Sequence, residues 1–216
     1  MALKGALSPW GLELTAEQGA VLAAHFEGML EANREFNLTR ATDPAEAAVA
    51  LYADSLAVVA WARRNGMHVR QVLDGGTGAG FPAVPVAVMQ PQWQVTAVDA
   101  TGKKARFVDE MARRLGIRNL AVVHGRVEEV CPPPTYDLVL FKAVSQIDRC
   151  LKWCRRLVSG GGFAVLYKTP GIRQDEESAG RRMADRVGFA EVEPFTYALG
   201  LDVQSIERVL RVYVRT

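Results

Sequence analysis

The chain has 216 residues, 49% of them apolar, and carries 26 Lys and Arg against 24 Asp and Glu. That is enough to bury one sizeable core, so one domain with a small elaboration is expected. No apolar run is read as reaching the roughly 18 residues that cross a bilayer. The start "MALKGALSPWGLEL" is too broken by Gly and Pro for a signal peptide. Three cysteines, an odd count without a C-x-x-C pair, point to a reducing, cytoplasmic setting rather than a disulfide framework.

In chain order, residues 15–36 have the apolar spacing of an amphipathic helix, with Val21, Leu22, His25, Phe26, Met29 and Leu30 near one face. Asp43, Pro44 and Glu46 form a helix start, an N-cap acid with proline at the first position, for a helix running to about Trp61. Strand-like and helix-like stretches then alternate. Strands are expected at 69–74, 94–99, 119–125, 136–143 and 162–168, and helices at 80–89, 102–115, 147–158 and 173–187. Gly116 and Gly188 close two of the helices. Two more strand-like runs, near 189–197 and 206–214, complete a set of seven. This alternation predicts a doubly wound α/β domain around a mostly parallel seven-stranded sheet. Residues 1–66 read as an N-terminal helical elaboration and 67–216 as the ligand-binding domain, together one compact unit.

In such sheets ligands bind beyond the carboxyl ends of the strands. "VLDGGTGAGFP", Val72 to Pro82, lies there after the first strand. Its spacing at Gly76, Gly78 and Gly80 is G-x-G-x-G. That is neither the G-x-G-x-x-G of dinucleotide folds nor a phosphate-binding P-loop. Asp74, before the loop, would repel a pyrophosphate but suit a ligand with a cationic amino-acid end and a sulfonium; capping of the loop is the plainer alternative. Asp99 ends the second strand, where a carboxylate accepts ribose hydroxyls. After the third strand, Gly125-Arg126-Val127-Glu128 could bracket an adenine, or Glu128 and Glu129 could simply open a helix. Together these spacings resemble the class I methyltransferases.

More specific motifs follow the same order: "NLT" (37–39), "DSL" (54–56), D-x-G-T-G-x-G-x-P (74–82), D-x-x-x-K-K-x-x-F (99–107), "RVEE" (126–129) and Lys168. As a set they resemble the ribosomal RNA small subunit methyltransferase G family, also called glucose-inhibited division protein B, over roughly residues 12–214. The resemblance implies transfer of a methyl group from S-adenosyl-L-methionine to N7 of a guanine in the 530 loop of 16S rRNA. The cofactor is expected on Asp74, Gly76, Thr77, Gly78, Gly80 and Phe81, on Asp99 and Ala100, on Val127 and Glu128, and on Lys142, of which the resemblance implies Gly76, Phe81, Val127, Glu128 and Lys142. Asn37, Arg126, Lys142 and Lys168 match the polar positions expected to matter for activity. The implied partner is 16S rRNA or the 30S subunit, with no membrane, no metal and a monomeric chain. The chain departs from the family pattern at three places. Ala50 and Leu51 stand where an Arg-His pair is common, Lys142 replaces an arginine, and Phe81-Pro82-Ala83 replaces Leu-Pro-Gly. Lysine keeps the charge but loses the planar fork. The missing Arg-His pair motivates one alternative, a methyltransferase of another substrate; a non-catalytic RNA-binding or assembly module is a second.

Several other features carry less. Guanine N7 has a lone pair and no proton, so its methylation needs no obligatory base, and no Ser/His/Asp or Cys/His constellation stands out. "PPPTYD" (132–137) precedes the fourth strand rather than following it, and Cys131 is not expected to be a nucleophile. Cys150 and Cys154, four apart on a helix, read as core. His25 also reads as core, and His124 sits near the adenine region. Residues 101–216 carry 20 basic and 14 acidic side chains, against 6 and 10 in residues 1–100. Lys103, Lys104 and Arg106 form a basic cluster; Lys103 and Lys104 open a helix on the expected active-site side, where they read either as phosphate contacts or as ordinary solvated residues.

Overall fold

A computed structural model of the protein describes residues 2–130, 135–200 and 205–216. Cys131 and the three prolines of "PPPTYD", residues 132–134, therefore lie outside the described residues. The N-terminal part is helical: α1 (Ala2–Leu7), α2 (Ala16–Asn33), α3 (Pro44–Ala47) and α4 (Asp54–Arg64). Thr15 and Gln18 form a reciprocal capping box that starts α2. Asp43 accepts from the N–H groups of Ala45 and Glu46, with Pro44 in the first turn, as the sequence pattern predicts. The expected single helix from Pro44 is not uniform, because a π-helical stretch, Ala48–Ala53, joins α3 to α4.

Then come β1 (Gln71–Gly75), α5 (Ala83–Met89), β2 (Gln94–Asp99), α6 (Gly102–Arg114), β3 (Leu120–His124), β4 (Tyr136–Lys142), α7 (Ile147–Cys154), β5 (Val158–Lys168) and α8 (Gln174–Val187). Three strands end the chain: β6 (Phe189–Glu191), β7 (Phe195–Leu199) and β8 (Ile206–Arg215). Among the described residues the sheet has eight strands in the order β3-β2-β1-β4-β5-β8-β6, with β7 also on β8. The first five are parallel and β8 runs antiparallel to β5. The expected seven strands become eight because the 189–197 run is broken. Glu191 pairs with Tyr213 and Phe195 with Leu210, so the edge carries one residue more than β8 between those pairs. Pro194, which has no N–H to donate, sits in that interruption.

Residues alternate between the faces of the sheet. Val72, Leu138, Leu140 and Val165 join a core with α2, α4, α5 and α6. Leu73, Val139, Phe141 and Leu166 join a second core with α7 and α8. Cys150 and Cys154 are fully buried in the second core, and burial pushes the Cys150 thiol up to about 12. The N-terminal helices share the first core with the sheet. Leu56, Ala57, Val58 and Val59 are 0% exposed, so α4 is buried all round.

The stretch Pro44–Arg64 corrects one expectation: its 21 residues are long and apolar enough to span a membrane by composition. Two-thirds of it is buried inside the fold, as in a core helix, and its apolar character serves that packing.

Leu56→Ala is expected to lower the unfolding free energy by about 2–5 kcal/mol through the cavity it leaves. Because α4 belongs to the same core as the sheet, urea unfolding followed by tryptophan fluorescence and by circular dichroism should remain one coincident transition.

Candidate active site

The site begins with the loop between β1 and α5. Gly76, Gly78 and Gly80 have φ of 79°, 59° and 97°. Side chains at such angles are strained, and a Cβ on Gly76 would stand 2.7 Å from Val144 Cγ2. The preceding glycine matters for a different reason: a Cβ on Gly75 would collide with the Phe141 ring and lie 2.8 Å from Val127 Cγ2. Gly75 therefore lets the end of β1 pass close beneath both, a requirement that G-x-G-x-G spacing does not reveal.

The loop is bolted to its neighbours by hydrogen bonds. Gly76 and Thr77 N–H donate to the Val98 carbonyl at 2.8 and 3.0 Å, and Gly80 and Phe81 N–H to the Thr77 carbonyl at 2.9 Å each. Asp99 Oδ2 accepts from Gly78 N–H and its Oδ1 from Thr101 N–H, both at 2.8 Å. Asp99 thus ties the loop to the start of α6, and each of its oxygens keeps a further lone-pair site.

Of the two readings of Asp74, the structure shows the cap. Its side chain is 0% exposed, Oδ2 accepts from Ala83 N–H at 3.1 Å, and it does not line the neighbouring cavity. It caps α5 from beneath the loop instead of presenting a carboxylate to a ligand. Burial pushes its pKa up to about 7, against smaller opposing effects of the Thr77 side chain, the Ala83 N–H and Lys142. The Thr77 hydroxyl lies close enough to exert that effect, yet no hydrogen bond of ordinary length and angle joins the two. Asp74 Oδ1 and Thr77 Oγ1 are both buried without a hydrogen-bond partner.

A cavity of about 560 Å³ opens beside the loop. Gly76, Val98, Ala100, Gly125, Arg126, Val127 and Glu128 form one side; Val144, Ser145, Asp148, Arg149, Lys152, Trp153 and Met183 form the other. The structure therefore brings Gly76, Ala100, Arg126, Val127 and Glu128 together, as the motif spacing predicts. Residues 127–129 form a turn, not the helix start considered for the glutamates. Arg126 and Glu128 form a loose, exposed ion pair at 4.0 Å. The second wall was not anticipated. It comes from α7, α8 and the loop before α7, which no motif marks. Ala143 holds a φ of 57° there, unusual for a residue with a side chain, and Val144 reaches over Gly76.

Other expected residues lie apart from this cavity. Lys142 ends β4 but turns to the N-terminal helices, where its Nζ is 3.0 Å from Asp54 Oδ2 and 3.4 Å from the Ala50 carbonyl. It also stands 5.8 Å from the centroid of Phe81, which is itself buried against Tyr52 and His25. Asp54 Oδ1 accepts from the Tyr197 hydroxyl at 2.7 Å, and the Tyr167 hydroxyl donates to the Ser55 carbonyl at 2.7 Å. The "DSL" motif thus links α4 to β4, β5 and β7.

Lys168, another polar position expected to matter for activity, is not among the residues lining the cavity. It pairs with Glu176 at 2.7 Å and donates to the Ser145 carbonyl at 3.0 Å, and Glu176 also accepts from the first N–H of α7. Its position is that of a brace for the loop carrying Val144. Asn37 is exposed on the loop after α2; Asn33 shapes that loop by accepting from the N–H groups of Leu38 and Thr39. His124 packs at the start of α6 in a separate hollow. Lys103 and Arg106 lie in a groove that also holds Glu31, Glu35 and Glu110, so this face mixes both signs of charge. Among the described residues, no group of three or more His, Cys, Asp or Glu could hold a metal ion.

His25 is buried, as expected of a core residue, but both ring nitrogens are engaged. Nδ1 lies 2.7 Å from the Tyr52 hydroxyl and Nε2 lies 3.0 Å from the Ala79 carbonyl. Burial lowers its pKa to about 4.

The sheet order, with five parallel strands followed by an antiparallel β8, and the site beyond β1, β2 and β4 define a class I methyltransferase fold. Solved structures agree. A Precorrin-6y C5,15-methyltransferase from Geobacter metallireducens superposes with a TM-score of 0.55 at 12% identity, over 85% of this chain and 95% of that one. The P. horikoshii protein TYW2, solved in complex with MeSAdo, gives a TM-score of 0.54 at 14% identity, over 68% and 57%.

Sequence relatives resolve the class further. The family model for rRNA small subunit methyltransferase G matches residues 18–194. A ribosomal RNA small subunit methyltransferase G from Microcystis aeruginosa is 34% identical over 83% of this chain and 84% of its own length. The protein of the same name from Leuconostoc citreum is 29% identical over 100% and 91%. The chain belongs to the rRNA small subunit methyltransferase G family.

The two buried titrating groups predict opposing pH effects. The folded state excludes the His25 proton down to about pH 4, whereas the unfolded chain takes it up near 6.5, so this group removes stability as pH falls through that window. Asp74 keeps its proton up to about 7 in the folded state and releases it near 3.8 when unfolded, so it removes stability as pH rises. In His25→Phe only the second effect remains. The stability deficit of the variant should therefore shrink by about 2–3 kcal/mol between pH 7 and pH 4.5, read by chemical denaturation. A deficit independent of pH would contradict the assignment of a neutral, buried His25.

Proposed function

We propose that this chain transfers a methyl group from S-adenosylmethionine to N7 of a guanine in the 530 loop of 16S rRNA. Membership of the rRNA small subunit methyltransferase G family carries the reading, and the geometry beside the glycine loop is consistent with it. The residues present fit the cofactor. Gly76 leaves the loop face bare of side chain, Asp99 keeps lone-pair sites for ribose hydroxyls, and Val127 and Glu128 line the cavity where an adenine would rest. S-adenosylmethionine, when bound, supplies an electrophilic methyl on a sulfonium.

The protein's own task is then placement. N7 brings its own lone pair, so no side chain has to remove a proton before attack. Rate comes from holding the guanine in line and from charge that offsets the new positive purine. Val144, exposed at the cavity rim above Gly76, supplies an apolar contact, and Lys168 with Glu176 braces the loop that carries it. The ion pair of Lys142 with Asp54 places a fixed dipole between β4 and the N-terminal helices. The RNA reaches the site across the exposed rim carrying Arg126. Ribosome assembly places the enzyme in the cytoplasm.

Ala50 and Leu51 favour a second reading, in which the same chemistry serves another RNA or a small molecule. Ala50 offers Lys142 only its backbone carbonyl.

The two readings are separated by mass spectrometry of 16S rRNA from a strain lacking this protein. Loss of the methyl from the 530-loop guanine, restored by wild type, is expected. A fully methylated guanine in the deletion strain would overturn the first reading. In the purified system, Lys168→Met should leave the fold intact and lower turnover on 30S particles by about tenfold, by loosening the β4–α7 loop. This is read as labelled methyl transferred per minute.

A further inference from the structure

We propose that His25 and Tyr52 form a positioning pair that sets the glycine loop, and through it the seat of the cofactor. The inference rests on the reading of that loop as the cofactor site. His25 lies on α2 and Tyr52 in the π-helical stretch, outside the sheet and loop that form the cavity. The chemistry of the contacts orients both groups. A backbone carbonyl only accepts, so Nε2 carries the proton and donates to Ala79 O at 3.0 Å. Nδ1 is then the acceptor, and the Tyr52 hydroxyl donates to it at 2.7 Å. This fixes one neutral tautomer and one direction for the chain of bonds, from Tyr52 through His25 to the loop.

Packing holds the ring where those bonds need it. His25 meets Tyr52 edge-on at 5.9 Å, with an interplanar angle of 84°, and Phe81 at 5.5 Å and 73°. Phe107 of α6 lies 6.0 Å away. Tyr52 and Phe81 also meet edge-on at 5.0 Å, so the three aromatic rings around the imidazole leave it little freedom to rotate. The loop comes close enough that a Cβ on Gly80 would stand 3.2 Å from Nε2. A purely apolar core position would be filled as well by phenylalanine. A histidine bonded at both nitrogens costs desolvation, and what it gains is a donor aimed at one carbonyl between Gly78 and Gly80. Phe81, the next residue but one, lies under Lys142. The pair therefore touches the loop at the point where β1, β4 and the N-terminal helices converge.

The test compares wild type with His25→Phe, His25→Gln and Tyr52→Phe. Phenylalanine keeps the ring and loses both bonds, whereas glutamine can place an N–H near the Nε2 position. Two readouts are used: amide hydrogen exchange at Gly78, Gly80 and Phe81 in the free protein, and calorimetric affinity for S-adenosylmethionine. His25→Phe should speed exchange at these amides and weaken binding, each on the order of tenfold, with exchange in β4 unchanged. His25→Gln should restore both toward wild type, and Tyr52→Phe should fall between. A His25→Phe protein with lower thermal stability but wild-type loop exchange and affinity would overturn the proposal. Wild type that binds no S-adenosylmethionine at millimolar concentration would instead refute the cofactor reading. Loop exchange alone then decides whether His25 sets the loop.

Discussion

A buried polar loop has to answer for every N–H and C=O it takes out of water. The turn between β1 and α5 is such a loop, and much of the surrounding structure supplies its partners. Val98 at the end of β2 takes two of its N–H groups, Asp99 takes a third, and the Thr77 carbonyl takes two more. Asp74 caps the helix that follows, and His25 reaches from another layer to the Ala79 carbonyl. The positive φ angles of the glycines allow this arrangement, and the hydrogen bonds hold it. The result is a rigid rim with no side chain at Gly76 and a cavity beside it.

The same logic explains why a helical N-terminal part accompanies the sheet. α4 is buried on every side from Asp54 to Ala62 and is covered by the π-helical stretch, α5 and β7. Of its buried polar side chains, Asp54 accepts from the Tyr197 hydroxyl and the Ser55 hydroxyl donates to the Leu51 carbonyl, while the Ser55 carbonyl accepts from the Tyr167 hydroxyl. Lys142 joins that set, so the charge at the end of β4 is compensated inside the fold. Removing one partner of such a pair leaves the other buried and uncompensated. The "DSL" motif therefore acts as a joint between the helical part and the methyltransferase sheet.

Much of the architecture was legible in the sequence because its signals are local. Period-two and helical spacing, Gly116 and Gly188 at helix ends, and Asp43-Pro44 at a helix start each act within a few residues. The break at Pro194 was equally local but is hidden in a run of strand-like residues. Gly76, Ala100, Arg126, Val127 and Glu128, expected because they follow strand ends, do line one cavity. Asp74, Phe81, Lys142 and Lys168 also sit at strand ends or loops, yet their side chains turn to partners set by tertiary packing. Lys168 finds Glu176 because α8 begins close by; Lys142 finds Asp54, 88 positions earlier in the chain. His25 reads correctly as core, but its bonds span 27 and 54 residues, and no local pattern announces them.

On the proposed reading, the glycine loop at Gly76, beneath Val144, seats S-adenosylmethionine. The most direct test of that reading is a calorimetric titration of S-adenosylmethionine into wild type and Gly76→Val, with thermal unfolding of both recorded alongside. Valine at this left-handed position would carry its Cβ into Val144. One bound equivalent is expected in wild type and at least about a hundredfold weaker binding in the variant, with a cooperative melt retained. Equal affinity in the two proteins would contradict it.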